Sequence, residues 1–265
     1  MRKMIYTALA VLLFFGCGHK GNETAKMNGI EFDSVVVDST CSLTEAKAAP
    51  TCKISLSIQY AKGNNAQKIN DTLLRCGILT PDYLSLPSRN IAMKEAVDSF
   101  VNKYISDYKR DYGQLYREDH EHGASYNCIY KVKTHTEDGG DDILNYIASI
   151  STYGGGAHGI DQTLVKNFNI KTGHLITLSD IFINGYEQEL KDIIIKKMAK
   201  KFNVKDLEGL KKKFIFADNN VYISENFILK EDSITFIYCE DEIAPHALGE
   251  IRIDIDKSEI EKLCK

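Results

Sequence analysis

Between Thr51 and Tyr60 apolar and polar positions alternate strictly, with Cys52, Ile54, Leu56, Ile58 and Tyr60 on one side and Lys53, Ser55, Ser57 and Gln59 on the other. A period of two with one wet side predicts a half-buried strand. The β-branched stretch Ile30 to Val37 predicts a strand before it, and Ser125 to Lys133 alternates again, with Tyr126, Cys128, Tyr130 and Val132 together. Thr136 to Asp142, which contains Gly139 and Gly140, reads as a turn, and Ile143 to Tyr153 as the strand that follows. In three places the period lengthens to that of a helix. Asn64 or Asn65 is placed to cap a helix carrying Ile69, Leu73 and Cys76 on one face and stopping at Gly77. Beyond a loop bracketed by Pro81 and Pro87, a longer helix begins near Ser88 and carries Met93, Ala96, Val97, Phe100, Val101, Tyr104 and Tyr108 at three-and-four spacing. Leu190, Ile193, Ile194, Met198 and Phe202 form the third stripe; Lys191, Lys196, Lys197, Lys200 and Lys201 lie mostly off it, as a solvated face. Val221 to Leu229 and Ser233 to Cys239 predict a hairpin around Lys230-Glu231-Asp232. Glu250 to Ile255 predicts a closing strand, and Ser258 to Cys264 a short last helix.

Strands in the majority, helices inserted between them and no regular βαβ alternation predict an α+β fold with antiparallel sheets. Two subdomains are expected, at 30–140 and 141–265. The most distinctive stretch joins two strands: Tyr153-Gly154-Gly155-Gly156-Ala157-His158-Gly159. Three consecutive glycines admit positive φ and close approach of another chain or ligand. The spacing Gly154-x-Gly156-x-x-Gly159 also fits a dinucleotide-binding fingerprint, but that motif needs a helix directly after it. Here Leu164, Phe168 and Ile170 sit at even spacing, so another strand follows and nucleotide binding is rejected.

The N-terminus changes the picture of where the chain works. Arg2 and Lys3 precede an apolar run, Ile5 to Phe15, that is too short to span a bilayer as a mature anchor, and Gly16-Cys17 closes it. Residues 1–16 read as a signal peptide of the lipoprotein type, with the Cys17 thiol acylated after cleavage and residues 17–29 as a polar tether. The expected address is the cell envelope, lipid-anchored on the periplasmic face of the outer membrane. A net charge of −4, which becomes −6 without Arg2 and Lys3, argues against nucleic acid and an anionic membrane surface as partners and tolerates a cationic one. Six cysteines follow Cys17, an even number that favours disulfides in an exported chain. Near neighbours, Cys41 with Cys52 and Cys239 with Cys264, are the expected pairs; buried free thiols are the alternative. His120 and His122 lie in a charged turn, Arg117 to Gly123, that reads as solvated rather than as a metal site.

Three segments together resemble a known module: the glycine run, Phe168-Asn169 through Gly173-His174-Leu175-Ile176-Thr177-Leu178-Ser179-Asp180-Ile181-Phe182, and Glu242-Ile243-Ala244-Pro245-His246-Ala247-Leu248-Gly249. They are similar to the extracytoplasmic domain of RsiV-like anti-sigma factors, which sense lysozyme. A similar module precedes the catalytic domain of PdaC-like peptidoglycan deacetylases. The likeness is clearest from Tyr146 to Ile255 and only in outline before that. Anti-sigma factors of this kind need a sigma-binding segment and a transmembrane helix, and the deacetylases a separate metal-dependent domain; here the binding module alone is expected. The resemblance implies a non-catalytic partner of a lysozyme-like protein or of cell-wall glycan, with no cofactor. Tyr153, Gly155, Gly156, His158, Glu240, Asp241, Glu242 and His246 are the candidate binding residues, the acidic ones for a basic partner. Two other classes stay open. His158 and His246 could join Asp161 or Glu242 in a metal-dependent hydrolase, although no Gly-x-Ser-x-Gly elbow or His-Glu-x-x-His is present. Otherwise the motifs merely close the fold of a structural envelope protein.

Overall fold

The computed structural model describes residues 30–79, 91–217 and 220–265. The signal segment, Cys17, the tether, Pro81, Pro87 and Ser88 lie outside the described residues. Strands β1 (Ile30–Ser42) and β2 (Thr51–Gly63) form a long antiparallel pair, and the expected alternation holds: Cys52, Ile54, Leu56 and Ile58 are buried. Helices α1 (Ala66–Leu74) and α2 (Met93–Glu118) then carry the chain over the sheet to β3 (Cys128–Gly140), which lies parallel to β2. The fold is α+β with mostly antiparallel sheets, as expected, and this joint is the parallel exception among the described strands. A long helical crossover is what a parallel neighbour requires, and the two predicted helices supply it. Strands β4 (Ile143–Tyr153), β5 (Ile160–Asn169) and β6 (His174–Ile176) follow as antiparallel neighbours, giving the order β1-β2-β3-β4-β5-β6.

The turn expected over 136–142 is mostly strand. β3 runs to Gly140, and the reversal is made by Asp141 and Asp142 at φ 39° and 65°. Aspartate tolerates the left-handed region, and a two-residue turn of that hand matches the twist of a hairpin. The expected boundary between 140 and 141 falls inside this hairpin, and the sheet is continuous across it. Ile69 and Leu73 of α1 and Met93, Val97, Val101 and Tyr108 of α2 cover one face of the sheet, forming the first core. Asn65 does stand at the start of α1, at φ 59°, but its side chain donates to Lys171 O at 2.8 Å instead of capping the helix.

A second core begins after β6. It is built from α3 (Leu178–Ile181), α4 (Glu187–Lys201), α5 (Leu207–Lys212) and a three-stranded antiparallel sheet of β7 (Phe227–Leu229), β8 (Ser233–Tyr238) and β9 (Ile251–Asp256), closed by α6 (Lys257–Ile260). Leu190, Ile194 and Met198 of α4 pack with Phe227, Phe236, Ile253 and Ile255. The strand expected from Val221 is confined to Phe227–Leu229, because Ser224 and Asn226 turn their side chains onto backbone groups.

Asparagines join the two units. Asn145 Nδ2 donates to Leu229 O at 3.0 Å and its Oδ1 accepts from Leu229 N at 3.1 Å, so the amide pairs β4 with β7 as a strand would. Asn226 does the same in reverse, accepting from Val165 N at 2.8 Å and donating to Thr163 O at 2.6 Å. Asn167 donates to Phe227 O at 2.9 Å. Ile147, Val165, Ile228 and Ile237 fill the space between these amides.

All six described cysteines are free thiols, so neither expected near-neighbour disulfide is present. Cys41 and Cys52 do face each other across β1 and β2. The Leu43 N–H donates to Pro50 O, which by alternation makes Cys41 and Cys52 a hydrogen-bonded pair, the wider of the two kinds at about 5.5 Å between Cα atoms. Cys239 and Cys264 turn to different carbonyls, of Thr163 and Ile260. Among the described residues no helix is long and apolar enough to cross a membrane.

Candidate recognition site

The glycine run is the turn between β4 and β5, as expected. Its glycines have different duties. Gly155 lies at φ 87°, and a Cβ there would sit 2.0 Å from Ser125 O, so only glycine fits against that backbone. Gly156 is also at positive φ, 95°, but nothing lies within 4 Å of where its Cβ would be. Tyr153 Oη donates to Gly156 O at 2.9 Å and closes the loop from its own strand. Gly154, Gly156, Ala157 and His158 remain exposed.

The opposite wall is the connection from β8 to β9. It reverses at Asp241, φ 61°, and passes through Pro245 into a single 3-10 turn, His246–Leu248. Here the two sequence motifs meet: the His158 and His246 rings stack with centroids 4.9 Å apart and planes 27° apart. His246 Nδ1 lies 3.2 Å from both Glu240 Oε1 and Asp241 Oδ2. Glu240 reaches across to accept from Asp161 N at 2.9 Å, tying the acidic loop to the first residues of β5.

The three acids therefore differ. Glu242 is held inside its own loop, accepting from Cys239 N at 2.6 Å and from Tyr222 Oη at 2.5 Å. Burial, and next the Glu242 carboxylate, push the Tyr222 phenol above its usual range; burial raises the Cys239 thiol to about 11. Glu240 is a bridge with little exposed surface. Asp241 is the open one, 44% exposed.

Two concavities share Glu240, the carboxylate beside His246. One of about 350 Å³ is lined by Ser149, Ser151, Asp161, Glu240 and Glu250; the other, about 610 Å³, by Ile160, Tyr222, Glu225, Asn226, Asp241 and Glu242. Ser151 Oγ donates to Asp161 Oδ1 at 2.5 Å, and Arg252 Nε to Glu250 Oε1 at 2.6 Å. Ile160, Tyr222 and Leu248 expose large apolar surface beside the carboxylates. Glu225, Glu250, Tyr222 and Ser151 were not singled out by the sequence. Glu250, at the head of an alternating strand, carries a faint signal there; the others carry none until the fold brings them in. His120 and His122 are elsewhere, stacked on Tyr116 and paired with Asp119 respectively. Among the described residues no three histidine, cysteine or acidic side chains converge as a metal-binding group.

Residues 179–258 match the family model described as a protein of unknown function, DUF3298. That segment contains the Glu240–Gly249 loop but not the glycine turn. No curated protein is matched. A crystal structure of a DUF3298 family member from Bacteroides fragilis superimposes with a TM-score of 0.79 and 26% identity, covering 91% of this chain and 96% of that one. A DUF3298 family protein from Pseudomonas aeruginosa shares the fold at a TM-score of 0.56 and 13% identity, over 88% and 94% of the two chains. The chain thus has the fold of these DUF3298 proteins and carries that family's sequence pattern over residues 179–258.

Proposed function

We propose that the chain is a non-catalytic binding module of the cell envelope, held by a lipid on Cys17 at the periplasmic face of the outer membrane. Its mouth between the glycine turn and the Glu240–Gly249 loop recognises a cationic, lysozyme-like protein. The observation that supports this reading is the His158–His246 stack, which brings the two motifs that resemble those of RsiV-like and PdaC-like modules to one open, acidic rim. Glu240 and Asp241 contact His246, Asp161, Glu225 and Glu250 line the concavities that share Glu240, and Ile160, Tyr222 and Leu248 are exposed. Acidic groups steer a basic partner, and apolar side chains among them supply contact area. Against catalysis, Glu242 is committed to a backbone N–H and a tyrosine, and the Ser151 hydroxyl is bonded to a carboxylate rather than a histidine. The hydroxyls and carboxylates of the Ser149/Ser151 groove favour cell-wall glycan as the second reading.

The test is titration calorimetry of the full-length protein with a basic lysozyme and, separately, with soluble peptidoglycan fragments. The expected result is lysozyme binding that weakens roughly tenfold or more in the Asp241→Asn, Glu225→Gln double variant and with added salt. Asparagine keeps the left-handed backbone at position 241, so the charge is removed without strain. No heat with lysozyme, or affinity unchanged in the variant, contradicts the proposal; binding of glycan alone replaces it with the second reading.

A further inference from the structure

The first core contains a row of thiols that the recognition site does not use. Cys41 on β1, Cys52 on β2 and Cys128 on β3 are in direct register across three neighbouring strands, and alternation puts all three on the face covered by α2. Cys41 is partly exposed at the edge, whereas Cys52 and Cys128 are buried. Neighbouring strands stand about 4.8 Å apart, so both steps along the row fall within the Cα separations a disulfide spans. Tyr104 Oη lies 3.3 Å from Cys128 Sγ. The Cys52 thiol and the Tyr104 hydroxyl hold the Cys128 thiol below its ordinary value, and the contact with Cys128, then burial, push Cys52 up. Tyr108, in electrostatic reach of all three sulfurs, has a buried hydroxyl with no hydrogen-bond partner among the described residues.

We infer that Cys41, Cys52 and Cys128 form a thiol–disulfide relay in which Cys41 meets an external disulfide and the final bond closes between Cys52 and Cys128. In the first step the Cys41 thiolate attacks the external disulfide RSSR, forming a mixed disulfide and releasing one RSH. Cys52 then attacks the Cys41 sulfur as its proton passes to the departing RS⁻, releasing the second RSH and leaving a Cys41–Cys52 bond. Finally the Cys128 thiolate attacks Cys52, forming Cys52–Cys128 and returning Cys41 as a thiol. Two thiols are oxidised and one disulfide is reduced to two thiols. The middle bond lies at the partly exposed end of the row and its Cys52 sulfur faces Cys128, so exchange carries the oxidation inward. The final bond fastens β2 to β3, the parallel joint whose partners are separated by α1 and α2 in the chain. Closing so long a loop raises stability mainly by restricting the unfolded chain.

The test is oxidation of the full-length protein with glutathione disulfide, quenching by acid and alkylation, and mass mapping of disulfide-linked peptides over time. The wild type is expected to accumulate the Cys52–Cys128 peptide and to unfold at higher urea once oxidised. Cys128→Ser is expected to stop at Cys41–Cys52, and Cys41→Ser to slow the final bond roughly tenfold, since buried thiols react slowly with an external disulfide. Circular dichroism confirms that each variant is folded, and the wild-type map needs no variant. No linked Cys52 peptide, or only pairs that omit Cys52, overturns the site. A Cys52–Cys128 bond formed at the same rate without Cys41 overturns the relay.

Discussion

The β4–β5 hairpin meets the second unit twice, and the two meetings are built from opposite chemistry. In the middle, Asn145, Asn167 and Asn226 are hydrogen-bonded to strand backbone, with Asn145 and Asn167 buried and Ile147, Val165, Ile228 and Ile237 packed around them. At the glycine end, contact is made by Glu240 on Asp161 N and by two stacked histidines, with open carboxylates and exposed apolar side chains around them. Asn145, with both ends of its buried amide bonded to Leu229 main chain, makes a fixed joint, since leaving either backbone group unpaired there is costly; Asn167 joins it through Nδ2 alone. Charged groups at a wet rim contribute little to stability and remain available to a partner. The difference separates what holds the two units together from what the protein can offer outward.

The contrast is broken most severely in the seam. Asn145→Ala leaves both Leu229 N–H and Leu229 C=O without their amide, and about 3 kcal/mol of stability is expected to go. Urea unfolding would show it as a lower midpoint at unchanged slope. The glycine turn sharpens the comparison within a few residues. Gly155→Ala, with its Cβ driven against Ser125 O at positive φ, is expected to cost about 2 kcal/mol, whereas Gly154→Ala meets nothing and stays within about 0.5 kcal/mol. Thermal unfolding of the two variants side by side separates a packed glycine from an open one.

A smaller effect is expected where the second unit begins. Thr177 and Asp180 form a capping box on α3, and Thr177→Ala should cost about 1 kcal/mol at neutral pH. The Asp180 carboxyl is held below its ordinary value first by the Thr177 backbone N–H, then by the Thr177 hydroxyl and His174. A depressed folded pKa contributes stability that is complete above the unfolded value and is lost as pH falls through the folded one. Stability measured from pH 5 downward should therefore fall less steeply in Asp180→Asn than in the wild type. Smallest of all, Asp241→Asn with Glu225→Gln at the rim should change stability by less than about 0.5 kcal/mol, because both side chains are exposed.

Much of the fold was legible because local pattern and tertiary position agree. The alternation at 52–58, the stripe at 190–198 and the strand-turn-strand reading of the glycine run all rest on residues whose burial follows their own period. The seam was illegible for the opposite reason. Asn145 and Asn167 look like the wet side of a strand, and only the arrival of β7 turns them inward. α5 was missed because six residues including Gly209 and two lysines carry no readable stripe. Of the two cysteine pairs expected from sequence distance, Cys41 and Cys52 do face each other in register, as free thiols, whereas Cys239 and Cys264 turn to different carbonyls. That Cys128 extends the row was hidden because it depends on the parallel β2–β3 joint. At the mouth, resemblance put the two histidine motifs in one module, but their stacking and the arrival of Tyr222, Glu225 and Glu250 needed the fold.

Hydrogen–deuterium exchange of the full-length protein with and without a saturating basic lysozyme tests the division between seam and mouth most directly. Residues 153–162 and 239–250 should become more slowly exchanging on binding, while Leu229 and its neighbours, already protected by Asn145, stay unchanged. Protection confined to other surfaces, or none at all, would contradict the assignment of the mouth as the site of recognition.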